Sequence, residues 1–266
     1  NIDPNSIKII HGDTDLTPYG WGTFASRSIV ISGGATKIAT QKLAEKIRLA
    51  ASLLLQCKVH EVKLKNGFAI AENNNANISF KELARSIYHS SHNTKELVGF
   101  NLDCSGSYDP DGTYSNACHA AEVEVDIEIG KVTIKNYIVV EDAGKLINPM
   151  IVDGQIHGGV AQGIANALFE EVIYDEDGTI LTTNLADYLV PTLNEIPDIQ
   201  IFHLETTTDY SLTKAKGIGE GGLIGAPAAV INAVSDALSP FQADFIQMPI
   251  TPECIMKIIK KRENKK

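Results

Sequence analysis

One glutamate stands inside a run of glycines in "TKAKGIGEGGLIGAPAA", residues 213–229. Gly217, Gly219 and Gly222 match G-x-G-x-x-G, the spacing by which a backbone cradles a dinucleotide pyrophosphate. Glu220 sits where that pyrophosphate would lie, and a carboxylate there repels phosphate. The preceding "DYSLTKA" is polar, unlike the first strand of a β-α-β unit. Asp244, near the distance of a ribose-binding acid, follows Pro240 with no strand before it. An NAD-binding oxidoreductase is therefore the weakest reading. In the other reading, Gly217, Gly219, Gly221 and Gly222 clear bulk around Glu220. Something large can then lie against the backbone while one carboxylate projects at it. Lys214, Lys216 and the positive end of a helix from about Pro227 add charge nearby. A carboxylate so placed can serve as a general base, its pKa set by desolvation against positive charge. On spacing alone, a flexible loop with an incidental glutamate explains the pattern equally well.

The surrounding chain has 266 residues, 44% hydrophobic and 21% charged, enough for one sizeable core or two smaller ones. No run approaches the ~18 apolar residues of a membrane span. The opening residues do not read as a secretory leader. They lack an initiator methionine, and the chain reads as beginning inside a longer protein. A net charge of −10 argues against a nucleic-acid partner, and the basic tail "KIIKKRENKK" reads as a frayed helix end. Cys57, Cys104, Cys118 and Cys254 are scattered, with no C-x-x-C pair. They suggest neither a metal site nor an iron–sulfur cluster of their own, and are compatible with a reducing cytoplasm.

The elements that must position Glu220 follow from periodicity. "SIKIIHG" (6–12) reads as a strand, and residues from about 35 to 56 as an amphipathic helix. Asn66-Gly67 joins two short strands in a hairpin, and Ser79 with Glu82 makes a capping box for a second helix. A longer hairpin alternates about Gly130-Lys131. A helix rich in small residues runs over 149–171, where its glycines suit close approach of a backbone or ligand. "VIYDEDGTIL" reads as strand, turn, strand, and "DIQIFHLET" as a further strand. Two helices close the chain, one around Pro227 and one after Thr251-Pro252. The expected class is α+β, with mixed and antiparallel sheets packed with helices, in subdomains 1–113 and 114–266.

Three segments occur in fixed order: "GTFASRS" (22–28), "INPMIVDGQIHGGVAQGIANALFEE" (147–171) and "KGIGEGGLIGAP" (216–227). With "AAEVEVD" and "ADYLVPT" between them, nearly the whole chain resembles the C-terminal part of the molybdenum hydroxylases. These include xanthine dehydrogenase, aldehyde oxidase, nicotinate dehydrogenase and the large subunit of carbon monoxide dehydrogenase. The resemblance implies that Glu220 is the active-site base. It implies that Ala25, Ser26, Arg27 and Ser28, led in by Thr23, cradle a molybdopterin-type cofactor and its phosphate. Gln155 and Gly219 would touch the same cofactor, in its plain or cytosine dinucleotide form. His119 and His157 are secondary candidates for its surroundings; Gln155 and Gln162 could instead face solvent on their helix, but Gly154, Gly158 and Gly159 favour close approach on the Gln155 side. The metal is held by the pterin dithiolene, so a protein cluster of metal ligands is not expected.

The implied reaction hydroxylates a C–H bond of an aldehyde or N-heterocycle with water as the oxygen source. Two electrons leave through iron–sulfur clusters. The resemblance implies an upstream half of the molybdenum subunit, with its own glycine-glutamine motif. It also implies iron–sulfur and flavin (FAD) subunits, and a small-molecule substrate. The chain alone would then be inactive, poor in molybdenum, and prone to self-association through an uncovered apolar face. A non-catalytic scaffold that keeps the fold without turnover is the second reading. Glu220 argues against it.

Overall fold

The computed structural model describes residues 2–263. The chain divides into two compact units, one of residues up to 23 with 31–110, the other of residues 24–30 with 111 onward.

In the first unit, helix α1 (Ser28–Leu55; its first turn groups with the second unit) begins earlier than the expected position near 35. Gly33 and Gly34 lie inside it. Packing explains Gly34: a Cβ there would lie 2.2 Å from the Tyr108 ring. A Cβ on Gly106 would lie 2.5 Å from the Ala35 carbonyl oxygen. The ammonium of Lys42 donates to the Ser105 carbonyl (3.1 Å), and that of Lys46 to Asn101 Oδ1 (2.9 Å) and the Asp103 carbonyl (2.8 Å). Strands β1 (Val62–Lys65), β2 (Phe68–Ala71) and β3 (Asn77–Ser79) form an antiparallel sheet. The expected Asn66-Gly67 turn has φ of 50° and 80°, the left-handed pair a tight hairpin requires. Helix α2 (Phe80–His89) starts on the expected box, with Glu82 N donating to Ser79 Oγ at 3.1 Å. Ile47, Ala50, Ala51, Val62, Leu83, Ile87 and Leu97 close the core.

The strand expected over 6–12 does not form. Pro4–Ser6 make a 3-10 turn, and no strand partner is found for the following residues among those described. Ile7 and Ile9 are exposed. Alternating apolar residues make a strand only where a neighbouring strand satisfies the backbone.

In the second unit, β4 (Asn116–Asp126) and β5 (Lys131–Asp142) form the expected hairpin. Lys135 is left unpaired by a bulge between Glu122 and Val123. Asn148 caps α3 (Pro149–Leu168), which crosses over to β6 (Ile199–Leu204), parallel to β5. The sheet is thus mixed, in the order β4-β5-β6. The two strands expected in "VIYDEDGTIL" reduce to one bridge, Tyr174 to Ile180. A single turn, α4 (Gly221–Ile224), precedes α5 (Ala226–Ala237) and α6 (Pro252–Glu263). Tyr137, Val139, Ile156, Val160, Ile164, Val230, Val234 and Ile255 fill the core.

The α3 glycines admit another backbone. A Cβ on Gly159 would lie 2.8 Å from Leu223 N, and one on Gly163 2.5 Å from Ala226 Cβ. From the other side, a Cβ on Gly222 would lie 2.6 Å from the Ile156 carbonyl oxygen. The glycine loop is therefore set directly on α3.

Candidate active site

The base of the glycine loop is fixed to the end of β5. Asp142 Oδ1 accepts from the backbone N of Gly144 (2.9 Å) and Thr206 (3.1 Å) and lies 3.4 Å from Lys216 Nζ. Burial alone would raise the Asp142 pKa. The Thr206, Gly144 and Lys216 hydrogen bonds outweigh it and hold the carboxyl below its ordinary value. Lys216 N donates to the Ala143 carbonyl at 2.7 Å. Gly144 has φ +63°, and a Cβ there would lie 2.6 Å from the Lys214 carbonyl oxygen. Lys214 is engaged by Asp209 at 2.6 Å. The two cations expected to act on Glu220 therefore pair with Asp142 and Asp209 instead, because both acids lie nearer the loop's base than its tip.

Glu220 is exposed, at the residue that opens α4. Ser26 holds it twice. The serine hydroxyl donates to Glu220 Oε2 at 2.7 Å and accepts from Glu220 N at 2.9 Å. These residues are 194 positions apart in sequence. Ala25 and Ser26 take φ of 50° and 56°, a left-handed conformation that costs non-glycine residues about 1–2 kcal/mol each. Arg27 N closes the turn on the Phe24 carbonyl at 3.2 Å, and its guanidinium lies 4.7 Å from the centre of the Phe24 ring. Backbone strain of this kind accumulates where function requires a fixed geometry. Gly217 permits the approach: a Cβ there would lie 2.1 Å from the Ser26 carbonyl oxygen.

Gln155 completes the cluster. A Cβ on Gly219 would lie 3.5 Å from both Gln155 Oε1 and Ser26 Oγ. Gln155 is exposed on α3, and around Gly154 and Gly158 nothing lies within 4 Å of a Cβ position. Ser26, Gln155, Gly219 and Glu220 thus border an open shelf. Ala25 is exposed beside Ser26, Ser28 opens α1, and Thr23 groups with the first unit. His157 is exposed, its Nδ1 2.8 Å from the Asp153 carbonyl of its own helix. His119 is turned inward, Nδ1 3.0 Å from the Tyr137 hydroxyl, and burial lowers its pKa against an opposing contact with the Gly221 backbone.

Glu141 was not singled out in the sequence. It is fully buried, and neither carboxyl oxygen has a hydrogen-bond partner. Burial, with the neighbouring Asp142 charge, pushes its pKa up to about 7 against the pull of Lys216. The available signal was an acid two residues after Val139, on the inward side of an alternating strand.

A family model described as the molybdopterin cofactor-binding domain matches residues 1–197. The chain belongs to this family. Relatives align over 93–96% of the chain, beyond the matched region and across the Glu220 loop. The large subunit of nicotine 6-hydroxylase from Paenarthrobacter nicotinovorans is 39% identical over 259 residues, 96% of this chain and 32% of that protein. The carbon monoxide dehydrogenase large chain of Afipia carboxidovorans is 33% identical, over 93% of this chain and 30% of its own length. The crystal structure of quinoline 2-oxidoreductase from Pseudomonas putida 86 superposes with a TM-score of 0.83 at 38% identity, over 93% of this chain and 32% of that one. The chain spans about a third of the length of the curated relatives it matches.

The residues present suit a molybdopterin. The Gln155 amide has no protein hydrogen bond among the described residues, so its donors and acceptor are available to a pterin edge. Among the described residues no three His, Cys, Asp or Glu side chains gather as a metal site. Ser26→Ala should remove both bonds to Glu220 and lower kcat about ten- to a hundredfold, at 1.5–3 kcal/mol for a hydrogen bond to a charged group. Steady-state kinetics at matched cofactor content would check this. Unchanged kcat would show that the serine does not set the position of the carboxylate.

Proposed function

We propose that this chain is the base-bearing portion of a molybdenum-cofactor-dependent hydroxylase, which oxidises a C–H bond with water as the oxygen source. The observation that carries the reading is the doubly bonded Ser26–Glu220 pair at the edge of the shelf bordered by Gln155. When bound, the molybdenum–pterin centre supplies the two-electron redox chemistry. The protein residues hold the reactants and move the proton. With Oε2 accepting from Ser26, Glu220 presents Oε1 as the proton acceptor. The strained Ala25-Ser26 turn fixes the direction of that oxygen before substrate arrives. Gln155 and the Ser26 turn would hold the cofactor edge, with Ala25, Arg27 and Ser28 in the cradle around it.

The substrate is an N-heterocycle or an aldehyde. The heterocycle is favoured by two relatives, at 39% and 38% identity, whose names carry nicotine and quinoline. The remaining two thirds of the subunit, with iron–sulfur and flavin subunits, would complete the pocket and remove electrons. We place the enzyme in the cytoplasm, with which its four free cysteines are compatible. A scaffold without turnover would have no use for a carboxylate held by Ser26, which also anchors the Glu220 backbone.

Cofactor content tests the assignment of Gln155. In the assembled enzyme, Gln155→Leu should lower molybdenum and pterin per subunit, while Glu220→Gln should leave both at the wild-type level. Metal analysis of the isolated chain should show little molybdenum. Full loading of Gln155→Leu, or stoichiometric molybdenum on the isolated chain, would contradict the proposed division of the cofactor site.

A further inference from the structure

Glu141 lies beneath the loop that carries Glu220. A Cβ on Gly221, the residue after Glu220, would lie 3.0 Å from Glu141 Oε1 and 3.2 Å from Oε2. The same Cβ would lie 2.6 Å from Ile218 Cδ1, so the Ile218 side chain and the Glu141 carboxyl together fill the side-chain position of Gly221. We infer that Glu141 is a positioning residue for Glu220, a buried carboxyl that must keep its proton for the loop to rest on it. This inference rests on the reading of Glu220 as the base and names what supports it from below.

The surroundings leave an ionised Glu141 poorly compensated. From β5 itself, Asp142 repels it and Tyr137 shares its inward face. From β4, His119 faces the same region with its pKa lowered by burial, and its Nε2 has no hydrogen bond. From β6, His203 stands opposite Glu141 in register, its Nε2 held by Asp153 at 2.7 Å. From the loop come Lys216, which pairs with Asp142, and Glu220 itself. Only Lys216 pulls toward the charged form. A buried carboxylate without hydrogen bonds is strongly disfavoured, and the group takes up a proton instead. Ionisation would add a negative charge under Gly221 and force water, or the loop, to move.

Three measurements test this, and the first two need neither cofactor nor turnover. In difference infrared spectra of the chain, a neutral carboxylic acid band should be present at pH 6, be lost as pH rises through about 7, and be missing from Glu141→Gln. Its folded pKa is raised, so the stability it permits is complete below the ordinary carboxyl value of 4.5 and is lost as pH rises through about 7. The unfolding midpoint of Glu141→Gln should therefore gain on the wild type across that window. In the assembled enzyme, kcat should fall on the alkaline side in the wild type, and this fall should be missing in Glu141→Gln with KM unchanged. Gly221→Ala, which places a methyl against Ile218 and the Glu141 carboxyl, should lower kcat at every pH. An absent acid band at pH 6 would overturn the inference. So would superimposable pH profiles of kcat in the wild type and Glu141→Gln. A wild-type complex loaded with cofactor but without turnover would overturn the base reading and the positioning role with it, whereas the infrared band would still decide whether Glu141 holds a proton.

Discussion

If Glu220 is the base, Glu220→Gln should lower kcat by about a thousandfold in the assembled enzyme, within the range of 10²–10⁴ typical of a lost general base. The substitution is nearly isosteric. Ser26 can still donate to the amide oxygen and accept from residue 220 N, so the loop keeps its two anchors. The amide cannot take up the proton that Oε1 would accept. The loss should therefore fall on kcat, with KM, molybdenum and pterin content close to wild type. Rapid-quench kinetics on cofactor-matched preparations would measure it. Wild-type turnover in the variant would remove the carboxylate from the chemistry and return the scaffold reading.

The second large effect is expected at Gly217. An alanine methyl would lie 2.1 Å from the Ser26 carbonyl oxygen and 2.9 Å from its carbonyl carbon. A backbone group cannot turn aside as a side chain can. Either the glycine loop or the strained Ala25-Ser26 turn must shift, and overpacking of this kind costs about 1–3 kcal/mol. The two Ser26–Glu220 bonds lie next to this contact, so activity should fall further than stability, by about a hundredfold or more, since small misplacement of a reacting group is costly. Thermal unfolding and kcat measured on one preparation would separate the two effects. Gly154→Ala is the control. Nothing lies within 4 Å of a Cβ there, so its effect on folding should be small. A Gly217→Ala variant with wild-type kcat would show that the approach of these backbones is incidental.

Where structure is decided by neighbours in the chain, it was legible. Asn66-Gly67 and Gly130 specify their hairpins through left-handed φ, and Ser79 with Glu82 caps α2 through contacts three residues apart. Where distant partners decide, it was not. Helix α1 was expected from about 35 but starts at Ser28, and the Tyr108 ring fills the space that Gly34 leaves within it. The alternation at 6–12 meets every local rule for a strand but has no partner among the described residues. β6 could be read as a strand, but nothing in "DIQIFHLET" says that it runs parallel to β5.

The candidate site divides in the same way. Glu220 among its glycines, the "ASRS" turn and Gln155 are visible as residue types and spacing. Their meeting on one shelf is a property of the fold. Ser26 was expected to serve the cofactor, and the structure shows that its hydroxyl engages Glu220, a contact across 194 positions that no local pattern encodes. Lys214 and Lys216 were read as charges for Glu220 because they are near in sequence, but their acids, Asp209 and Asp142, are nearer in space. Glu141 passed for one more polar residue at a strand end until burial showed it sealed under Gly221.

The reductive half-reaction of Glu220→Gln tests the central claim most directly. In anaerobic stopped-flow with the assembled, cofactor-loaded enzyme, substrate should reduce the variant about a thousandfold more slowly than the wild type. Dithionite, which needs no base, should reduce both at the same rate. Equal reduction by substrate would contradict the account, because the carboxylate held by Ser26 would then take no part in the chemistry.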